Sequence, residues 1–297
     1  MREAVIVSTA RTPIGKAYRG AFNDTPSQAL GGHVIKHAVE RAGVDPQEVD
    51  DVVMGNALTQ GSTGGNAGRQ CLIRAGLPTS VAGMTIDRQC ASGMMAIATA
   101  AKQIIVDGMR ITVGGGLESI SLVQNEHQNL HRYTDPWIVE KSPALYMSMI
   151  ETAEIVSARY SISREDQDQY AVQSQERTYK AQVAGKFVDE IVPLPSIMKV
   201  LNKESKVIED VAVLLEKDEG NRPGTSVANL AALKPVFSDG MTVPKGNYVT
   251  AGNASQLSDG ASASLIMEAK EAERRGVEVL GIYRGVAVAG LNPDEMG

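Results

Sequence analysis

The chain has 297 residues, 43% hydrophobic and 22% charged, with 29 basic against 35 acidic side chains and a net charge of −6. That balance excludes a general affinity for nucleic acid or for an anionic membrane surface, while leaving room for a local basic pocket. Two cysteines rule out a disulfide framework, and no CxxC or Cys/His cluster points to a metal. The sequence shows no apolar span of membrane length and no secretory leader, so a reducing cytoplasm is the expected home and free thiols the expected state.

Residues 4–8 form a short apolar run that predicts a buried strand. From 26 to 42 apolar residues recur at three- and four-residue steps, which predicts a helix ended by Gly43. Residues 49–55 predict the next strand, 56–65 a loop rich in Gly, Ser and Thr, and 67–75 a second helix stopped by Gly76 and Pro78. A short buried strand closes on Met84, Thr85 and Ile86, and residues 110–114 predict another. Gly114, Gly115 and Gly116 permit close approach of other backbone, without the spacing of a dinucleotide-binding turn. Strands and helices alternating at these lengths predict a layered α/β domain. From about 121 to 244 that rhythm breaks. Helical patterns at 150–160 and 164–184 stand among polar segments, with Ser163 and Asp166 spaced as a capping pair. Ser174, Gln175 and Arg177 read there as a plain solvated helix face. Residues 261–267 return to strand, 268–275 to a charged helix, and 277–289 to strand.

Between the strand ending at Ile86 and the next helix stand Asp87, Arg88 and Gln89, and then Cys90. Residues 91–101 carry no charge, which predicts a helix buried on nearly every face. A cysteine at the N-terminus of such a helix faces unpaired N–H groups and roughly half a positive elementary charge, which favours a thiolate. The strand-turn-helix setting is that of a nucleophile elbow. Against this stands the ordinary fate of a free cysteine, an inert place in the core. Cys71, in mid-helix, fits that second description.

DRQCASG at 87–93 resembles the acyl-accepting segment of the thiolase family, and four further segments resemble that family in its order. These are VSTARTPIGKAYRGAF at 7–22, GGNAGRQCLIRAGLP at 64–78, GGGLESIS at 114–121 and VTAGNASQLSDGASA at 249–263. The resemblance implies a thiolase-like layered α/β/α fold, with the N-terminal thiolase domain in 1–120 and 249–270. It also implies an inserted loop domain at 121–248 that holds coenzyme A, and the start of a C-terminal domain at 271–297, so that most of the second half is absent. It implies an acyltransferase in which Cys90 takes the acyl group as a thioester, between coenzyme A and a 3-ketoacyl-CoA. Coenzyme A and acyl-CoA are then substrates rather than a resident cofactor. A homodimer or homotetramer is the implied assembly of the full-length protein.

The same resemblance carries the coenzyme contacts residue by residue. Ser255 in GNAS matches the serine that meets the pantetheine arm, with Ala251 beside it. Arg222 in GNRPGTS matches the arginine at the adenine and phosphates, and Phe237 in LKPVF and Met149 in YMSMIETAE match apolar contacts along the tunnel. Ser148 stands where some relatives have histidine. The family's Gly-His-Pro segment, late second cysteine and Asn-Glu-Ala-Phe segment do not occur, so a partial chain of negligible activity is expected. Two alternatives remain open: a non-catalytic CoA-binding or dimer-forming protein, and a related ketoacyl or hydroxymethylglutaryl-CoA synthase. His33 and His37, four apart on a predicted helix, have no further ligand beside them and read as half-exposed helix residues.

Overall fold

A computed structural model describes residues 2–296. The chain clusters into two compact units. The first runs to Gln128 and takes in Val188–Gly220 and Gln256–Val286; the second takes in Asn129–Phe187, Asn221–Ser255 and the residues from Ala287 on.

The first unit is built on a mixed sheet of β1 (Ala4–Arg11), β2 (Gly15–Lys16), β3 (Asp51–Gly55), β4 (Ala82–Ile86), β5 (Ile111–Ser119), β8 (Ser258–Glu268) and β9 (Gly281–Ile282). A separate two-stranded hairpin, β6 (Leu194–Leu201) and β7 (Ile208–Leu215), lies between β5 and β8 in sequence. Across the sheet the order is β4-β3-β5-β8-β1-β9, with β2 beside β8. β3 pairs in parallel with both β4 and β5, so that Gly55 stands opposite Ile86 on one side and Gly116 on the other. β8 runs antiparallel to β5 and β1.

Parallel neighbours need crossovers, and here each crossover is a helix. After α1 (Ser27–Arg41) and β3, α2 (Ala67–Arg74) leads outward to β4, and α3 (Ser92–Ile105) then leads back past β3 to β5. Because the two steps run in opposite directions, right-handed crossovers put α2 and α3 on opposite faces of the sheet. One core accordingly joins Leu30, Val34 and Ile35 of α1 to Leu72 of α2, and the other joins Ala96, Ala100, Ala101 and Ile104 of α3 to Val53 and Ile266. The result is the layered α/β/α arrangement.

Three expectations need correction. Residues 277–289 supply only the two-residue β9, paired to the start of β1. The run that reads as a buried strand and an all-buried helix is half exposed. β4 lies at the sheet edge with one neighbouring strand, and Met94 of α3 is 59% exposed. Apolar composition marks both elements for burial, but only the sheet-facing side of α3 is covered among the described residues. The 114–116 glycines are also inside β5 rather than after it. A Cβ on Gly114 would stand 2.6 Å from Ile97 Cα, and one on Gly116 3.0 Å from Gly93 Cα, so α3 rests on bare strand backbone.

The second unit holds α5 (Pro136–Lys141), α6 (Met149–Arg159), α7 (Arg164–Val183) and α8 (Val227–Ala231); the four-residue α4 (Ile120–Val123) and α9 (Ala269–Arg275) belong to the first. Ser163 and Asp166 do form the expected capping box at the start of α7. The residues of the hairpin β6–β7 cluster with the first unit, as do residues 271–286.

Candidate active site

The turn from β4 to α3 is held by its own side chains. Asp87 Oδ1 accepts the Gln89 N–H at 2.6 Å, and Ser92 Oγ accepts the Arg88 N–H at 2.8 Å while donating to the Gln89 carbonyl at 2.6 Å. Gln89 is driven to φ +48°, a left-handed conformation that costs a residue with a Cβ on the order of 1 kcal/mol. Cys90 follows that strained residue and is exposed, two residues before α3 begins. Cys71, the other thiol, is fully buried on α2, and burial pushes it up to about 12.

The C-terminal ends of β3, β4 and β5 meet beside this turn, where ligands of parallel sheets gather. Asn56 follows β3, and Glu118 lies near the end of β5. Glu118 Oε2 accepts the Ala57 N–H at 2.8 Å. Its Oε1 and the Asn56 Oδ1 are both buried without a donor among the described residues. Burial raises the Glu118 carboxyl above its ordinary range against N–H bonds from Ala57 and Leu58, and the carboxylates of Asp87 and Asp259 add to the rise. Asp259 is likewise raised, by burial first, although Ser121 donates to it through both N–H and Oγ. The Cys90 turn therefore adjoins a carboxyl that resists ionisation.

The five residues matched to coenzyme contacts all fall in the second unit. Arg222 is exposed and lines an open cleft of ≈ 160 Å³ with Pro223, Gly224, Thr225 and, from α7, Val172, Gln175, Glu176 and Tyr179. Ala251 and Ser255 are exposed around a turn closed by Asn253, whose Oδ1 accepts the Thr250 N–H at 2.7 Å. Phe237 is half-buried between Gly240 and Gly246, where added Cβ atoms would stand 2.6 and 2.9 Å from it. Met149 opens α6 and is 60% exposed, with Ser148 as the N-cap accepting the Glu151 N–H.

Sequence reading missed what fixes these loops. Glu151 and Glu154, both 2% exposed on α6, accept backbone N–H bonds from Met241, Thr242 and Val243 and from Asn247, Tyr248 and Val249 respectively. Burial opposes ionisation of Glu151, but its three backbone donors outweigh that and hold its carboxyl below the ordinary range. The spacing Glu-x-x-Glu on a helix was the available signal.

The model of the thiolase N-terminal domain matches residues 4–270. The chain belongs to the thiolase family of acyltransferases. It is 40% identical to a 3-ketoacyl-CoA thiolase of Bacillus subtilis over all of this chain and 74% of that protein, and 39% identical to an acetyl-CoA acetyltransferase of Paracoccus denitrificans with the same coverage. A peroxisomal 3-ketoacyl-CoA thiolase of Arabidopsis thaliana is 38% identical over 99% of this chain and 63% of its own length. The crystal structure of the Bacillus anthracis acetyl-CoA acetyltransferase superposes with a TM-score of 0.81 at 35% identity, over 100% of this chain and 73% of that one.

In this thiolase chain Gln175 is not the plain surface residue its pattern suggests: its Oε1 accepts both the Asn221 Nδ2–H and the Arg222 N–H. His33 and His37 stack edge to face on α1 at 4.6 Å, half-exposed as expected, and His127 and His131 are exposed. No group of three or more metal-ligating side chains occurs among the described residues, and no described helix is long and apolar enough to cross a membrane.

Proposed function

We propose that this chain is part of an acetyl-CoA C-acyltransferase of the thiolase type, with Cys90 as the residue that accepts the acyl group and with negligible turnover by this chain alone. The observation that carries the reading is the exposed Cys90 thiol, presented by a strained turn at the ends of three parallel strands. In the cleaving direction the sulfur attacks the C3 carbonyl of a 3-ketoacyl-CoA, the C2–C3 bond breaks, and C2 takes a proton as acetyl-CoA leaves. The acyl group is then held as a Cys90 thioester until a coenzyme A thiol removes it. The N–H of Cys90 serves the thioester oxygen, and such a donor is worth about 100- to 1000-fold in rate. Coenzyme A is a substrate bound in the second unit, with Arg222 at its nucleotide end, Ser255 and Ala251 along the pantetheine arm, and Phe237 and Met149 as apolar walls.

A cytoplasmic homodimer or homotetramer fits the same reading. β4 leaves one edge unpaired, with Met84 and Ile86 half-buried on it, and a second copy adding its own β4 across a two-fold axis covers it. Light scattering of the purified chain tests the assembly, a monomer counting against it. Intact-mass spectrometry after incubation with acetoacetyl-CoA tests the chemistry. One acetyl adduct mapping to Cys90, and missing from Cys90→Ala, is the expected result. Coenzyme A binding without any adduct moves the chain to a non-catalytic binding role.

A further inference from the structure

Helix α7 is polar on nearly every side, yet Asp168 on it is only 2% exposed. A buried carboxylate is stable only where donors surround it, and here one comes from the first turn of α7 itself and another from a distant loop. Arg164 Nε reaches both carboxylate oxygens at 2.9 Å, while its Nη2 and Nη1 donate to the carbonyls of Leu230 at 2.6 Å and Leu233 at 3.3 Å, at the end of α8. Asn253 Nδ2 donates to Asp168 Oδ1 at 3.0 Å and to the Tyr248 carbonyl at 3.0 Å. A carboxylate only accepts, so it requires the NH₂ side of the amide. That leaves Asn253 Oδ1 for the Thr250 N–H and sets the turn that carries Ala251 and Ser255. Two turns further along the same face, Gln175 accepts the Arg222 N–H at 2.8 Å and the Asn221 side chain through Oε1 at 2.9 Å.

We propose that this face of α7 positions the two ends of the coenzyme A site separately, Asp168 setting the pantetheine turn through Asn253 and Gln175 setting the nucleotide loop that bears Arg222. The inference rests on the reading that the second unit binds coenzyme A, and it makes Asp168 and Gln175 positioning residues, which act through Asn253 and through the Asn221 side chain and the Arg222 N–H respectively. Their effects on ligand binding therefore divide. Calorimetric titration of the full chain with coenzyme A, and with 3′,5′-ADP as the nucleotide end alone, reads the division.

Asp168→Asn is expected to weaken coenzyme A binding about tenfold or more, as loss of a charged hydrogen-bond partner does, and to leave 3′,5′-ADP within about twofold. Asn253→Ala reproduces that selective loss and serves where Asp168→Asn does not fold. Gln175→Ala weakens both ligands by a similar factor. Adding Ser255→Ala to Asp168→Asn costs less than the product of the two single effects, because both act on one contact. Equal loss of both ligands in Asp168→Asn and Asn253→Ala, or no loss in either, overturns the proposal. Wild-type protein that binds neither ligand overturns the coenzyme A reading itself, and the inference falls with it.

Discussion

Replacing Glu151 with glutamine tests whether buried carboxylates hold the loop that bears Phe237. In the wild type, Oε1 accepts from Thr242 at 2.6 Å and Val243 at 3.0 Å, and Oε2 accepts from Met241 at 3.0 Å. Glutamine keeps one acceptor oxygen, loses the charge on two bonds, and turns an NH₂ toward the Met241 N–H. Hydrogen bonds to a charged group contribute about 1.5–3 kcal/mol, and a stranded buried donor costs about 1–3 kcal/mol. The expected loss is therefore about 3 kcal/mol, confined to the second unit and lowering its melting midpoint by on the order of 10 °C. Calorimetry at pH 7 reads it as a shift of the transition that carries this unit. Because the folded carboxyl sits below its ordinary value, its stabilisation is complete above the unfolded value of about 4.3 and fades as pH falls through the folded one. The gap between wild type and Glu151→Gln should thus narrow as pH falls below the unfolded value of about 4.3. A loss under about 1 kcal/mol at pH 7, or a gap indifferent to pH, would refute the reasoning.

Two further outcomes are expected. Burial, joined by the neighbouring charge of His37, holds His33 below the ordinary imidazole value, so the unfolded chain binds the extra proton first. Stability should fall as pH drops below about 6.5, and His33→Gln should flatten that slope in urea titrations between pH 7.5 and 5; an unchanged slope counts against it. Ellman's reagent at pH 8 should find one fast thiol in the native chain and both in denaturant, since Cys71 is buried and pushed up to about 12 while Cys90 is exposed. Two fast native thiols would place Cys71 within reach of solvent.

Local chemistry explains what was legible in the sequence. The Pro26 to Gly43 helix, the Ser163 capping box and the Cys90 turn each depend on residues a few positions apart, so their signals are printed side by side. The β6–β7 hairpin was not read, because its strands have an irregular exposure pattern and no two-residue turn signature. Asp168, Gln175, Glu151 and Glu154 escaped for a different reason. Each sits on a helix, and apart from Arg164, four positions before Asp168, its partners lie 46 to 95 positions away in the chain. Beyond the Glu-x-x-Glu spacing of Glu151 and Glu154, little local distinguishes a carboxylate that gathers distant amides from one that faces water. The exposure of Met94 and β4 was misjudged because apolar composition records what a surface needs, not which neighbour supplies it.

The seat of α3 on Gly114 and Gly116 bears on how firmly the reactive sulfur is held. Most helices ride on a cushion of side chains whose rotamer hops absorb small displacements of the layer beneath. Here main chain rests on main chain with no methyl group between, so sheet and helix shift as one piece and the thiol keeps its aim. The same stiffness leaves no slack for a side chain beneath it: a single alanine at Gly116 lifts the front of the helix at Gly93, and the sulfur goes with it.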